Sequence, residues 1–428
     1  MPSQYTTKTL YVPIDIGKNV NLYAGYAGEP LAVVSAARKV ATTRAGYETF
    51  KQWVERQLGS GRYEGVVVGH EPTGIYHERW AYQIAADFGP RVDYRFVNPM
   101  AVKQRRVGLL NGRHRKSDPL DLEAIAHCLR DGQGQRAFLP SGDELRLKVW
   151  VSAFRQTQHE QRRLAVHLLR LLDRLWPGLL VNVARFRRRH PDLKAPVPLL
   201  LSHPLERQTL RALIAQAPNP YEWLTRSQEE LIAFFRKHVG RGGPKTAATL
   251  QAIIQAALLP PEEVAEVLAA TLQADFARYR QLEARLADLQ QQAETLVPTS
   301  PAAVLVTIPG LSPFLAARYL AGLGHHQRFT TAEEVWDFAG FGPDERRSGD
   351  RCLIGHISKK GSPTLRDTLF LIGQHTARHC PPFQRAFERA KARGLRTVGA
   401  TIHVAHKANR LCFRLLSDQV PFDPEHYR

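Results

Sequence analysis

Four acidic residues occupy places in the sequence where their carboxylates could meet. Asp15 and Glu71 each close an apolar run typical of a buried strand, and Asp118 and Asp121 stand three residues apart at a predicted helix start. Residues three apart on a helix share one face. Carboxylates that converge without a ligand repel one another strongly, and divalent cations remove that repulsion. The set therefore predicts a Mg²⁺ site that cuts phosphodiesters, with Mn²⁺ as a substitute.

Each acid taken singly has a simpler explanation. A lone Asp or Glu usually lies in solvent, and Asp118 would also serve as a helix cap. The placement of all four, at two strand ends and one helix start, is what favours catalysis. Basic residues that suit a phosphate backbone surround the acids: Arg105, Arg106, Arg113, Arg115 and Lys116.

The overall charge of the chain indicates a polyanionic partner. Lysine and arginine number 59 against 40 acidic residues, which gives a formal net charge of +19 over 428 residues. A surplus of this size favours nucleic acid. The 4 cysteines include no closely spaced pair of the zinc-ligand kind, and we find no secretory leader or membrane-spanning apolar run. We therefore expect a cytoplasmic protein with no membrane partner.

The order of predicted elements indicates an α/β fold of the ribonuclease-H type over residues 1–142. Three strands followed by helix–strand repeats build a sheet whose strand ends lie together, with a later helix packed across them. Such a sheet would bring Asp15 and Glu71 close to Asp118 and Asp121. Strand patterns cover residues 8–16, 20–27, 31–40, 63–69 and 92–97, and helical periodicity covers 46–58, 76–88 and 119–130.

Residues 143–297 are predicted to form a helical region. A long amphipathic helix covers 145–176, and a dense basic cluster follows at 185–190. From about 275 to 297, leucine and alanine recur every three or four residues in an a/d seam. A self-associating or hairpin coiled coil explains that seam, and so does one helix of an ordinary intramolecular bundle.

Residues 298–428 are predicted to form a mainly α-helical domain. It opens with a helix–hairpin–helix pattern centred on Pro309 and Gly310. Elements of this kind present backbone N–H groups to a phosphate backbone without reading sequence. An ordinary helical hairpin fits the same pattern.

A candidate nucleophile lies in the glycine-rich segment 339–366, which is predicted to be mostly loop. Ser348 could attack phosphorus there if its proton is removed and the phosphate charge is held. A basic loop that merely touches nucleic acid is the simpler alternative, and Ser358 and Ser362 are rival nucleophiles. The basic residues of this segment that we expect to contact nucleic acid are Arg346, Arg347, Arg351, Lys359 and Lys360.

Taken together, these motifs resemble the insertion-sequence-110/1111 family of DEDD-type transposases. The resemblance rests on Ile-Asp-Ile-Gly-Lys around Asp15, Glu-Pro-Thr-Gly from Glu71, the pair Asp118 and Asp121, the Ile-Pro-Gly hairpin, and Arg-Ser-Gly with Gly-His-Ile-Ser-Lys-Lys-Gly around and after Ser348. It covers roughly residues 8–130 and 300–380. The middle of the chain carries no matching motif.

The resemblance implies a RuvC-like nuclease domain that carries the four acids and a transposase domain whose nucleophile is Ser348. It implies an RNA-guided recombinase that cleaves DNA through a covalent phosphoserine intermediate and then exchanges strands. A structured noncoding bridge RNA would pair with donor and target DNA. The active unit would be a homo-oligomer, a dimer or a tetramer, that combines acids and serine from different subunits. Relative to compact family members, an insertion lies at about 180–270.

Two other functions fit the same residues. A RuvC-like, Mg²⁺-dependent junction resolvase or nuclease would use the acids with water as the nucleophile and would not need Ser348. A non-catalytic nucleic-acid-binding protein would bind in a salt-dependent way without cutting. A covalent protein–DNA adduct distinguishes a serine recombinase from the first of these.

Overall fold

The computed structural model describes residues 8–72, 74–110, 117–194, 203–240, 243–348 and 351–425, with the backbone alone for 343–348 and 351–356. These residues form two compact units. The first contains the chain up to Glu144, the short segment Thr307–Leu311 and the chain from Tyr319 onward, and the second contains Leu145–Val306 and Ser312–Arg318. The two ends of the sequence therefore fold together, and the middle forms its own core.

A six-stranded mixed sheet organises the first part of the chain. Its order is β3-β2-β1-β4-β5-β6, with β1, β4 and β5 parallel and the other strands antiparallel to their neighbours. The strands are β1 (Thr9–Ile16), β2 (Val20–Ala27), β3 (Ala32–Ala41), β4 (Gly65–His70), β5 (Asp93–Val97) and β6 (Gly134–Arg136).

Helices cover both faces of this sheet. The helices are α1 (Arg44–Leu58), α2 (Tyr76–Phe88), α3 (Pro99–Leu109) and α4 (Asp118–Arg130). One face packs against α1 and α2, where Phe50 and Trp53 lie about Tyr23 of β2 with ring centroids 5.0 and 5.1 Å away. The other face packs against α4, through Leu122 and Ile125. The predicted mixed α/β domain is confirmed, although α3 and β6 had not been predicted.

The second unit is helical and has one continuous apolar core. Its helices are α5 (Gly142–Leu175, which begins in the first unit), α6 (Val183–Arg189), α7 (Gln208–Gln216), α8 (Tyr221–Leu224), α9 (Gln228–Val239), α10 (Pro244–Ala256) and α11 (Glu262–Leu296). Trp176 and Trp223 are buried there and donate their indole N–H groups to the carbonyls of Pro218 and Ala217, at 2.7 and 2.9 Å. Helices from the predicted insertion thus share a core with α5 and α11.

The predicted leucine seam lies in the last third of α11. This helix pairs antiparallel with α5, because Arg278 contacts Glu160 and His167 lies 3.2 Å from Asp275. Of the seam residues, Leu289 and Ala293 are buried within the chain. An intramolecular helix pair therefore accounts for part of the seam, and the self-association that the seam also fits stays a prediction.

The remaining chain is mainly helical, as predicted. Its elements are α12 (Pro313–Leu323), α13 (Ala332–Phe338), β7 (Pro343–Ser348), β8 (Arg351–Ile357), α14 (Pro363–His379), α15 (Pro381–Ala392) and α16 (Thr397–Asp418). In the first unit, a buried polar chain links three of these helices: the Tyr319 hydroxyl donates to Asn409 Oδ1 at 2.9 Å, and Asn409 Nδ2 donates to the Ala332 carbonyl at 2.7 Å. Within the described residues, no helix is both long and apolar enough to cross a bilayer.

Two predicted features of this part take a different form. The segment before the turn at Pro309 and Gly310 is a 3-10 helix, Pro301–Thr307, followed by α12. The segment around Ser348, predicted to be mostly loop, contains the antiparallel hairpin β7–β8. Glycine concentrates at the base and tip of the hairpin, and that composition hid its short paired strands.

Candidate active site

The strand register places Asp15 and Glu71 side by side. In the parallel pair β1–β4, Ile14 is opposite His70, so one further step in the same register sets Asp15 beside Glu71. Neighbouring strands lie about 4.8 Å apart, and aligned residues of parallel strands project to the same face. The backbone register therefore sets these two residues side by side at the carboxyl end of the parallel strands, and we expect their carboxylates to lie on one face.

Both residues lie on the sheet face that α4 covers. Asp15 is opposite Leu22 of β2, and Leu22 packs with the α4 core. Glu71 follows His70, whose ring points to the opposite face and contacts Tyr94, with Nε2 2.5 Å from its hydroxyl. Burial raises the pKa of the Cys128 thiol on α4, and the carboxylate of Glu71 adds to that rise.

Close packing fixes α4 against the sheet. A Cβ atom at Gly69, two residues before Glu71, would lie 2.5 Å from Cδ2 of Leu129 and 3.1 Å from the Arg95 carbonyl. The absence of a side chain at this position lets α4 approach β4. The spacing between α4 and the strand that leads to Glu71 thus depends on a glycine.

Replacing Gly69 with alanine should lower the free energy of unfolding by about 1 to 3 kcal/mol, because the added methyl overpacks the contact with Leu129. Gly65→Ala on the same strand is the matched control, since a Cβ there meets no atom within 4 Å. Urea unfolding of both variants measures the difference. Equal urea midpoints for the two variants would mean that α4 shifts away from β4 to accommodate the methyl group without any loss of stability.

The other two acids differ in their surroundings. Asp118 is the first residue of α4 and is exposed, whereas Asp121 is only 6% exposed. The carboxylate of Asp121 forms an ion pair with Arg106 of α3, and its backbone N–H donates to the Ser117 carbonyl at 3.0 Å. The predicted pair is therefore one buried acid with a cationic partner and one acid at the solvent edge.

The arginines of α3 pair with acids of their own domain. Arg106 contacts Asp121, and Arg105 contacts Asp131 just after α4. Both had been predicted to bind nucleic acid. Arg113, Arg115 and Lys116, predicted for the same purpose, lie outside the described residues.

The acids suit a divalent cation. Asp15 and Glu71 are adjacent, and Asp121 is buried in the helix that covers them and already attracts the guanidinium of Arg106. Buried carboxylates that attract a cation supply the oxygen donors that Mg²⁺ and Mn²⁺ prefer. The donor set therefore fits a hard metal ion.

The serine segment is a hairpin with a firmly held base. Ser348 is the last residue of β7 and is opposite Arg351 of β8, at the end of the hairpin far from its base. At the base, the Ser358 N–H donates to the Gly342 carbonyl at 2.8 Å and the Ser362 N–H donates to the Phe338 carbonyl at 2.7 Å. Gly361 stands where a Cβ would collide with the backbone of Phe338.

The rival serines have structural partners. Ser362 caps α14, and its hydroxyl accepts from the Leu365 N–H at 3.3 Å. The Ser358 hydroxyl accepts from the Lys360 N–H at 3.4 Å. Lys359 and Lys360 are exposed beside them. The side chains of Ser348, Arg346, Arg347 and Arg351 lie outside what the structure describes.

Sequence comparisons assign both ends of the chain. Residues 12–177 match the DEDD-type IS110 transposase model, and residues 302–388 match the model described as transposase IS116/IS110/IS902 family. The first match contains Asp15, Glu71, Asp118 and Asp121, and the second contains Ser348. This chain belongs to the IS110-type transposase family. It is a DNA transposase, and the two matches together cover more than half of its length.

Two Streptomyces coelicolor proteins resemble this transposase over most of their length. One is a 43.6 kDa protein of insertion element IS110, 25% identical over 342 residues that make up 78% of each chain. The other is the candidate transposase of the IS117 mini-circle, 25% identical over 344 residues and 77% of each chain.

Sequence reasoning missed two features of this transposase. The first is the pairing of Arg106 with Asp121, which depends on α3, a helix whose start at Asn98 and Pro99 is a readable signal. The second is a buried cluster of Glu144, His325 and His326. The fold brings Glu144 to the adjacent pair His325 and His326, and the distance of 181 residues between them in the sequence gives no local signal.

Proposed function

We propose that this transposase is an RNA-guided DNA recombinase that cleaves strands with Ser348 while Asp15, Glu71, Asp118 and Asp121 hold Mg²⁺. The observation that carries the proposal is the juxtaposition of Asp15 and Glu71 under α4, on the face where Asp121 is buried. Carboxylates that lie this close together repel one another, and a bound cation removes that repulsion.

The strand order supports a nuclease fold of the ribonuclease-H or RuvC type. An antiparallel β1–β2–β3 meander followed by parallel β4 and β5, with a helix across the strand ends, is the arrangement we expected for such a domain. The 3-10 helix, the Gly310 turn and α12 support a helix–hairpin–helix element that would contact DNA phosphates.

The acids would bind the metal through oxygen atoms, and when bound it supplies Lewis-acid stabilisation of the scissile phosphate. Asp15 and Glu71 would orient the ion from the sheet, and Asp121 would do so from α4. Arg106 forms an ion pair with Asp121 from α3 and orients that carboxylate. Asp118, at the exposed helix start, would face the substrate side of the site.

Chelation of the metal should abolish DNA strand cleavage by the purified transposase with its guide RNA. EDTA removes the ion, and added Mg²⁺ or Mn²⁺ should restore cleavage, because both take carboxylate ligands. The measurement is cleavage of labelled donor and target DNA on a denaturing gel. Full cleavage in EDTA would contradict the metal site.

The serine would carry the strand between cleavage and rejoining. Its oxygen bonds to phosphorus, the bond from phosphorus to the 3′ oxygen breaks, and that oxygen takes up a proton as a free 3′-hydroxyl. The 3′-hydroxyl of the exchanged strand then attacks the phosphoserine, and Ser348 recovers its proton. The number of phosphodiester bonds is unchanged, so the reaction needs no external energy source.

The charge of the chain supports nucleic-acid partners, and we propose donor and target DNA with a structured noncoding bridge RNA. The net charge of +19 favours tight, salt-dependent binding to phosphate backbones. Helix α6 adds three consecutive exposed arginines, Arg187, Arg188 and Arg189. A dimer or tetramer, aided by the seam of α11, would combine acids and serine from different copies.

A further inference from the structure

A buried carboxylate that is not one of the four acids lies at the start of α5. Glu144 is 7% exposed, and two neighbouring imidazoles face it. Its Oε2 lies 3.7 Å from Nε2 of His325, and its Oε1 lies 3.8 Å from Nδ1 of His326. Among the described residues, neither Oε1 of Glu144 nor Nδ1 of His326 has a hydrogen-bond partner, although both atoms are buried.

These distances are too long for hydrogen bonds and close to those between two ligands of one ion. A hydrogen bond would bring nitrogen and oxygen to about 2.9 Å. Two donor atoms that each lie about 2.1 Å from a tetrahedral zinc ion are separated by about 3.4 Å. One donor atom from each of the three residues fits within 4.8 Å of the other two.

We propose that Glu144, His325 and His326 bind a Zn²⁺ ion that is separate from the Mg²⁺ of the four acids. Two imidazole nitrogens and one carboxylate suit zinc, whereas Mg²⁺ prefers oxygen donors alone. The fourth position would be taken by water. The ion satisfies the two buried polar atoms that have no other partner.

Neighbouring residues contact His325 and the segment before Glu144. Phe138 stacks on His325 with ring centroids 5.5 Å apart, and the Tyr82 hydroxyl donates to the Pro140 carbonyl at 2.9 Å in the segment that leads to Glu144. The two imidazole planes are within 8° of parallel. A shared ion requires rotation about the Cβ–Cγ bonds that turns both lone pairs toward Glu144.

The proposed ion would join two parts of the first unit. Glu144 closes the N-terminal part of the first unit, and the two histidines follow α12 in its C-terminal part. A zinc ion between them joins two stretches that are far apart in sequence, as structural zinc sites do. It stands outside the strand-cleavage chemistry, so its loss should lower stability first.

The test measures zinc in the untagged, full-length protein after loading and desalting. We expect about one zinc ion per chain in the wild type and at least about a fivefold decrease in Glu144→Gln and in His326→Gln. Co²⁺ should give visible absorption bands in the wild type and lose them in both variants. His375 and His379 form a second histidine pair, on α14 with ring centroids 6.5 Å apart, that belongs to no such cluster among the described residues. The double variant His375→Gln, His379→Gln is therefore the matched control and should keep its zinc, as should Asp15→Asn.

The wild-type protein provides a second readout that needs no variant. Removal of zinc by a chelator should lower its thermal midpoint, and re-addition should restore it, because an ion that binds the folded state alone stabilises that state. Zinc content that is the same in Glu144→Gln, His326→Gln and the wild type would overturn the proposal. So would a folded wild type that binds no zinc and no Co²⁺, which would leave a buried histidine–carboxylate pair.

Discussion

Asp15→Asn and Asp121→Asn should each reduce DNA strand cleavage by about a thousandfold. Asparagine keeps the size of the side chain but removes the charge that binds a metal ion. Loss of about 4 kcal/mol of transition-state stabilisation from a displaced ion corresponds to about that factor. The measurement is the rate of single-turnover cleavage with saturating guide RNA and Mg²⁺.

Glu123→Gln is the matched control for these two variants. Glu123 lies on α4, two residues after Asp121, and is half-buried, so the change has the same chemistry outside the proposed site. Its cleavage rate should stay close to that of the wild type. Circular dichroism checks that Asp121→Asn, which also loses the ion pair with Arg106, remains folded. Near-normal cleavage by either Asp variant would rule out the carboxylate site.

Ser348→Ala should abolish the covalent protein–DNA adduct and reduce strand cleavage to background. Alanine has no oxygen that could bond to phosphorus, so no residual pathway through this residue exists. The adduct is detected by denaturing electrophoresis of labelled DNA that migrates with the protein. A variant that still cleaves but forms no adduct would indicate a nuclease that uses water.

The rival serines supply the controls for this experiment. Ser358→Ala and Ser362→Ala should both retain the adduct. Ser362→Ala should in addition lose about 1 kcal/mol of stability, because it removes the cap of α14. If the adduct persists in Ser348→Ala and disappears in one of these two variants, the residue changed in that variant is the nucleophile.

The sheet could be predicted because its central strands β1 and β4 are largely apolar, buried runs. β1, β2, β3, β4 and β5 begin and end within a few residues of their predicted bounds, and strand ends in a sheet must lie together. That reasoning predicts Asp15 beside Glu71, and the register of β1 and β4 ends one step before this pair. It could not supply the partner of Asp121, since Arg106 lies on α3, whose polar surface gives only a weak periodic signal.

The hairpin around Ser348 could not be predicted from local sequence patterns. Its strands contain charged residues and are flanked by glycines, which composition alone assigns to loop. The pairing of Arg347 with Cys352, and of Ser348 with Arg351, is a property of the backbone register. The cluster of Glu144, His325 and His326 is a stronger case, because only tertiary packing joins its members.

The length of β7 separates Ser348, at the tip of the hairpin, from the base of the hairpin, which is hydrogen-bonded to the rest of the domain. Six residues that each rise about 3.3 Å carry Ser348 about 20 Å from the end that Gly340 and Gly361 pin to α13 and α14. A small angular error at that pinned end becomes a displacement of several ångströms at the tip. The backbone geometry at Gly340 and Gly361 therefore sets the orientation of the whole hairpin. A larger residue at either position would displace Ser348 at the tip.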